Sequence, residues 1–373
     1  MFRPDTTSLS SCVREEAQRL GFFKVGITRI GLLPYDDHFE RWLTKGWHGE
    51  MRYLERQAAK RRNPGLVLPN ARSMLVLAMD YYAQKTLPDI SLRGVISRYA
   101  QGNDYHKIVL DRLKALLRFI QNCEPSALGK CFVDTGPVME KVWGAQTSLG
   151  WIGKHTNLIT RERGSWFFIG VILLDIELEY DAQEKDFCGT CGRCMKACPT
   201  RAITAPYVLD PRLCISYLTI EFRDLIPRRL RPLMGNRIFG CDDCQQVCPW
   251  NRFAVETSVS ELAPNEKNIM PELVPLVRIT PQEFDRRFRH SPIRRATRDG
   301  LVRNAAIALG NSHRSEAVRA LEEALQDGSP VVRAAAAWAL GQISSGKTTG
   351  ILQRARSRET DRLVLEEIAI VLA

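Results

Sequence analysis

The first 180 of the 373 residues contain neither a Gly-x-Gly-x-x-Gly fingerprint nor a Walker loop, so a dinucleotide or nucleotide site of familiar type is not expected there. Long apolar runs are missing too. The longest, Trp166 to Leu174, is too short to span a bilayer. Residues 8–20 mix charges with Leu9, Val13, Ala17 and Leu20 at helical spacing and do not read as a signal peptide, so a cytoplasmic protein that does not bind membranes is expected. Acidic side chains are in deficit, 42 Asp and Glu against 53 Lys and Arg, for a formal net charge of +11. That balance leaves room for an anionic macromolecular partner without proving one. A composition of 45% hydrophobic and 25% charged residues excludes disorder as the default and fits two or three globular domains.

What the chain has in quantity is cysteine, eleven residues in all. Cys188-Gly-Thr-Cys191-Gly-Arg-Cys194-Met-Lys-Ala-Cys198-Pro199 is answered by Cys214 and by Cys241-Asp-Asp-Cys244-Gln-Gln-Val-Cys248-Pro249. Three cysteines at x2 spacing followed by x3-Cys-Pro wrap one [4Fe–4S] cluster and send the fourth thiolate to a second. By that crossing rule Cys188, Cys191, Cys194 and Cys248 hold one cluster, and Cys198, Cys214, Cys241 and Cys244 the other. A zinc ribbon or a disulfide framework fits eight cysteines with two Cys-Pro endings poorly. Cys12, Cys123 and Cys131 fall outside the pattern and read as small apolar residues.

Around this module the chain divides into three. Residues 1–180 alternate helical and strand-like stretches: Lys24 to Ile30, the near-continuous apolar run Ser73 to Tyr82, a helix over Lys107 to Cys123, Lys130 to Val133, and Trp166 to Ile176. They predict an α/β domain with ligands near strand ends. Residues 181–260 are the ferredoxin-like module, held by metal more than by a core of their own. Residues 261–373 are rich in Ala, Leu and Arg. Within them Arg303–Gly310 and Ala334–Gly341 align at an offset of 31, matching Ala305 with Ala336, Ala306 with Ala337, Leu309 with Leu340 and Gly310 with Gly341. HEAT-like helical repeats are therefore expected, of shorter than usual period. Seven arginines lie between Arg286 and Arg303, against Asp299 alone, and Arg228, Arg229 and Arg231 form a second cluster. Such runs are solvated faces or nucleic-acid surfaces, and sign alone does not choose.

Paired clusters move single electrons and do no substrate chemistry, so the first 180 residues must supply a second centre. Three loop-like segments there are candidates: Ser97–His106, Val133–Pro137 and Gly150–Asn157. Asp134 stands at a strand end. A carboxyl there can donate a proton if burial raises its pKa, although local sequence favours a cap for a helix starting near Pro137. His106 and His155 sit in no metal-ligand spacing.

In conjunction these motifs carry more. Arg98-Tyr-Ala-x-Gly-x-Asp104-Tyr105-His106, Val-Asp-Thr-Gly-Pro (133–137), Gly-Trp-Ile-Gly-Lys (150–154) and Gly-Ser-Trp-Phe-Phe (164–168) precede the ferredoxin-type run. Cys-Ile-Ser-Tyr-Leu-Thr (214–219), Gly-Cys-Asp-Asp-Cys-Gln (240–245), Cys-Pro-Trp-Asn (248–251) and the helical repeats follow its start. The whole chain resembles the epoxyqueuosine reductases. The resemblance implies removal of the epoxide oxygen from epoxyqueuosine at the wobble position of tRNA, the last step of queuosine biosynthesis. It further implies a cobalamin-binding N-terminal domain, two [4Fe–4S] clusters and an external electron donor.

By the same resemblance Asp134 matches the proton donor, a role that needs its neutral form near pH 7. Arg62, Ser97, Asn157 and Ser216 match cobalamin contacts, and Lys154, Asp104, Tyr105 and His106 lie in the same motifs and are expected in the pocket, with Lys154 also on the cofactor. The arginine run, with Arg294, Arg295 and Arg298 foremost, and the Arg228–Arg231 cluster would line the path of the anticodon stem-loop. A monomer is expected. The competing readings are a reductive-dehalogenase-like cobalamin and iron–sulfur reductase, and a non-enzymatic iron–sulfur scaffold that binds RNA.

Overall fold

The computed structural model describes residues 8–83, 91–343 and 346–373. Helix α1 (Leu9–Arg19) and strand β1 (Lys24–Arg29) lead to β2 (Ser73–Asp80), helix α2 (Tyr105–Cys123), β3 (Gly129–Phe132) and β4 (Phe167–Leu174). The four strands form one sheet in the order β1-β2-β4-β3, every neighbouring pair antiparallel. The expected mixture of helix and strand is present, but with no parallel pair in this sheet it is not a doubly wound one. β2 is buried along its whole length because both faces are covered. Leu75, Leu77 and Met79 pack with Val109 and Leu113 of α2, while Met74, Val76 and Ala78 pack with Val138 and Trp143 on the other side. Burial on both faces replaces polar alternation with the continuous apolar run seen in the sequence; each such side chain contributes about 1.5–3 kcal/mol.

The antiparallel register brings three chain segments to one edge of the sheet. Asp80 at the end of β2 pairs with Phe167 at the start of β4, and Phe132 at the end of β3 pairs with Val171. Asp134, two residues beyond β3, therefore reaches the edge where β4 begins.

The cysteine module follows, with the short helices α3 (Arg193–Ala197) and α4 (Ile215–Ile220) and strand β5 (Arg237–Phe239). Its middle is not held by metal ligands alone. Leu218, Leu230, Ile238 and Phe239 share one core with the C-terminal helices α5 (Thr297–Asn311), α6 (Pro330–Ile343) and α7 (Arg362–Leu372).

The repeat glycines explain why the sequence self-similarity is spatial. A Cβ on Gly310 would stand 2.7 Å from Ala339 Cα of α6, and one on Gly341 would stand 2.5 Å from Val371 of α7. Equivalent positions thus mark where each helix crosses the next, and Ala305, Ala306, Ala336 and Ala337 are fully buried. Arg303, on α5, has no exposed surface and donates to the carbonyls of Leu218, Phe222 and Asp224. It joins the helical array to the end of α4.

Candidate active site

A cavity of about 640 Å³ lies between the sheet edge and the cysteine module. Asp134 and Tyr105 line one side, and Cys198, Cys214, Cys241 and Cys244 line another. Asp134 has a left-handed backbone, φ +53°, which an aspartate tolerates better than most side chains and which re-aims it from the strand. Its Oδ2 accepts a short hydrogen bond from Tyr105 Oη. His106 Nε2 stands 3.8 Å from Oδ1, an ion-pair distance, and His106 Nδ1 is 2.6 Å from Asp104 Oδ1. Asp104 also caps α2 by accepting from the His106 amide at 3.1 Å. His106, Tyr105 and Phe168 form a stack with centroid spacings of 4.1 Å at each step. Helix Glu140–Gly144 is preceded by Met139 and receives no side-chain cap from Asp134, so the capping role that local sequence favours is not the one adopted.

The electrostatics correct one expectation. Burial pushes the Asp134 carboxyl up, but His106, the Tyr105 hydrogen bond and the Lys141 charge outweigh it and hold it below the ordinary carboxylate value. Burial opposes the charged form of His106, yet its two carboxylate neighbours raise its pKa to about 9. At neutral pH the proton of this group of side chains rests on His106, and Asp134 is ionised. A neutral Asp134 would require the cavity to be sealed from water or the imidazolium to hand its proton over.

The cavity wall also carries polar atoms that no protein group satisfies. His155 Nε2, Arg61 Nε and Glu140 Oε1 are buried without a hydrogen-bond partner among the described residues. Burial raises the Glu140 carboxyl to about 7 and lowers the His155 imidazole to about 4. Lys141 reaches Asn157 Oδ1 at 2.7 Å, and burial lowers its pKa. Unsatisfied buried polar atoms around so large a space are what a large ligand with a polar fringe would pair.

The cysteines fall into two groups by the cavity they line. Cys188, Cys191, Cys194 and Cys248 line a second, smaller cavity of about 230 Å³, while the other four line the large one. All eleven cysteines are free. Two donor sets, each around a volume and with no disulfide, fit two cubane clusters and not a cross-linked framework.

The residues matched by resemblance divide between the cavity wall and its surroundings. Ser97, Asn157 and Ser216 line the large cavity. Ser97 Oγ donates to Asp242 Oδ1 at 2.5 Å, which ties the Ser97 turn to the Cys241–Cys244 loop. Arg62 and Lys154 do not line it. Arg62 is paired with Asp36 at 2.9 Å and Glu40 at 3.3 Å, and its neighbour Arg61 lines the cavity instead. One residue along a helix turns a side chain by about 100°, enough to change walls. Lys154 donates to the carbonyls of Gly189 and Cys191 at 2.5 and 2.9 Å, so it braces the first cysteine loop. Arg61, Glu140 and Lys141 were missed as site residues; the only signal was their place beside matched motifs. The Cys-Pro-Trp-Asn motif earns its last residue: Asn251 accepts from the Ser165 amide at 2.6 Å and donates to Gln245 O at 2.7 Å. Gly164 has φ +71°, and a Cβ there would collide with Asn251.

The arginine clusters need correction as well. Arg303 is a buried tie between elements. Arg298 is only 16% exposed and bound to Asp327. Arg231 is buried against Glu367, which also takes Arg228. Opposite charges and carbonyls far away in sequence claim these cations, so the runs are not continuous free surfaces. Arg294 and Arg295 stay exposed. Arg295 bonds Glu221 through two nitrogens at 2.9 and 2.8 Å and lies 5.6 Å from the ring centroid of Tyr53, a cavity-lining residue.

Three family models match the chain: Epoxyqueuosine reductase QueG, DUF1730 over residues 61–135, 4Fe-4S double cluster binding domain over 187–251, and HEAT repeats over 293–373. An epoxyqueuosine reductase of Pseudomonas aeruginosa is 42% identical over 90% of this chain and 95% of its own. A crystal structure of epoxyqueuosine reductase with an epoxyqueuosine-modified tRNA-Tyr stem loop aligns over 98% of both chains with TM-score 0.90 and 30% identity. The Bacillus subtilis epoxyqueuosine reductase, solved with its catalytic aspartate loop swung out of the active site, aligns over 98% of both chains with TM-score 0.91 and 29% identity. The iron–sulfur module and the helical repeats thus have matches of their own, and the chain as a whole belongs to the epoxyqueuosine reductase family of oxidoreductases.

Proposed function

We propose that this protein reduces epoxyqueuosine to queuosine at the wobble position of tRNA, the last step of queuosine biosynthesis, with cobalamin in the large cavity and electrons supplied through two [4Fe–4S] clusters from an external donor. The observation that carries the reading is one cavity with a proton-handling group on one side and a set of four cluster cysteines on the other. Ser97, Asn157, Ser216 and Arg61 would hold the cofactor's polar fringe, with His155 Nε2 and Glu140 Oε1 as further partners. Bound there, cobalamin would supply a strongly reducing cobalt centre for cleaving a carbon–oxygen bond.

The chain's own residues then have separable tasks. Tyr105 and His106 orient Asp134. The His106 imidazolium stores a proton between Asp104 and Asp134, and Asp134 delivers it to the departing epoxide oxygen, the role the resemblance assigns to it. With two electrons from the external donor and a second proton from solvent, that oxygen leaves as water. A ligand covering the cavity would exclude water and push the Asp134 carboxyl upward, which favours proton transfer from His106 to Asp134. Arg295, beside the cavity-lining Tyr53, and its exposed neighbour Arg294 meet the tRNA backbone.

The deciding experiment is anaerobic reconstitution with cobalamin, a reductant and tRNA bearing epoxyqueuosine, with nucleosides read by mass spectrometry. Conversion to queuosine is expected. No conversion together with no bound cobalamin by absorbance would sink the proposal and leave an iron–sulfur RNA-binding scaffold.

A further inference from the structure

The large cavity, its carboxylates and the arginines beside it serve the proposed reaction, but the face of the cysteine module around Cys188 and Cys248 does not. The smaller cavity of Cys188, Cys191, Cys194 and Cys248 is walled by Phe187, Trp250, Arg193 and Arg252. Phe187 and Phe253 are exposed, at 36% and 40%, and Trp250 joins them at centroid distances of 5.9 and 6.0 Å. Cations rim this aromatic patch. Arg161 lies 5.0 Å from the Phe187 centroid and Arg252 4.5 Å from that of Phe253. Arg193 and Lys196, one helical turn apart on α3, and Arg252 also line an open groove beside Cys248.

The pairing pattern separates these cations from others in the fold. Arg163, Arg237, Arg298 and Arg333 each hold a carboxylate. Among the described residues Arg161, Arg193, Lys196 and Arg252 have no acidic partner. Four unpaired cations around exposed aromatic rings, directly over one set of cluster ligands, form a surface with an apolar centre and a positive rim. Such a surface suits a transient complex: a small contact area, attraction that steers approach, and no tight lock.

We propose that the patch formed by Phe187, Trp250 and Phe253 with Arg161, Arg193, Lys196 and Arg252 docks an acidic one-electron carrier protein, which delivers electrons to the cluster of Cys188, Cys191, Cys194 and Cys248. In each encounter the reduced carrier loses one electron and is oxidised, and the cluster gains that electron. The two cysteine sets then have distinct positions, one beneath a protein-docking face and the other in the cavity wall. The inference rests on the reading that an external donor feeds the clusters. Its test follows cluster reduction and carrier binding, not epoxide turnover, so the two can fail separately.

The probe is a reduced plant-type [2Fe–2S] ferredoxin, a small acidic carrier, mixed with cluster-loaded protein and followed by freeze-quench EPR of the reduced [4Fe–4S] signal. Raising ionic strength should slow the reaction steeply. The triple variant R193E/K196E/R252E should lower the low-salt rate by about tenfold or more and weaken binding of the oxidised ferredoxin by calorimetry, within the 10- to 1,000-fold span of steering effects. Photoreduced 5-deazariboflavin, small and uncharged, should still reduce the variant at the wild-type rate, and affinity for a tRNA stem-loop should be unchanged. An unaltered ferredoxin rate overturns the proposal, as does a loss confined to tRNA binding, which would make the patch an RNA surface. If the triple variant loses iron, the single variants K196Q and R252Q with full iron content decide. A loss toward ferredoxin alone supports the proposal, and no loss rejects it.

Discussion

His106 and Asp134 hold one proton in opposite senses, and the pH dependence follows from the signs. The His106 pKa is raised from 6.5 to about 9, so its stabilising contribution is complete below pH 6.5 and disappears as pH rises through 9. The Asp134 pKa is lowered, so its contribution is present above pH 3.8 and is lost as pH falls through the depressed value. His106 is partly exposed, and solvent screening reduces its share to about 1–2 kcal/mol. Denaturant titrations of His106→Gln should therefore lose most of the wild-type decline in stability between pH 6.5 and 9; an unchanged decline would place it elsewhere. In turnover, Asp134→Asn should keep its clusters and lose about 100-fold or more in kcat, the range for a general acid. His106→Gln should move the alkaline limb of the pH–rate profile to lower pH, a change that loss of packing alone does not produce.

At the scale of elements, the two repeat glycines and the arginine run give contrasting lessons. Gly310→Val puts side-chain atoms against the backbone of α6 and should lower stability by about 2–4 kcal/mol, measured by thermal or chemical unfolding. Gly328→Ala, where a Cβ meets nothing within 4 Å, should change it little. Arg298→Ala should likewise lower stability without altering the salt dependence of tRNA binding. The double replacement of Arg294 and Arg295 by Ala should weaken stem-loop binding and reduce the slope of log K against log salt by about 2. Spacing made much of this legible in advance. The x2 and x3 cysteine intervals sort the cysteines into the groups that line the two cavities, and the offset of 31 points to stacked helices, because both depend on local periodicity. The free or bound state of an arginine does not. Asp327 and the carbonyls near Leu218 are remote in sequence from the arginines they hold, and nothing local announces them. The choice of Arg61 over Arg62 likewise turned on the phase of one helical turn.

Across the whole molecule, support for the cysteine loops comes from both sides. Asn251 clasps the Ser165 loop of the sheet domain, and Arg303 ties α4 to the helical array. Removing the clusters should therefore unfold the module only in part. Hydrogen exchange should accelerate at residues 187–202 and 241–252, while 297–343 stays protected; uniform acceleration would show that the metal holds the entire fold.

The shared wall of the large cavity has a chemical cost outside the reaction. Cys198, Cys214, Cys241 and Cys244 are part of the wall of that cavity, so with a cluster on these thiolates dioxygen admitted to the space would meet iron directly. Tolerance to air then belongs to the cavity's occupancy as much as to the iron–sulfur loops. A protein with the space filled should keep the cluster of Cys198, Cys214, Cys241 and Cys244 in air longer than one with the space open, while the decay of the cluster of Cys188, Cys191, Cys194 and Cys248 should be the same in both.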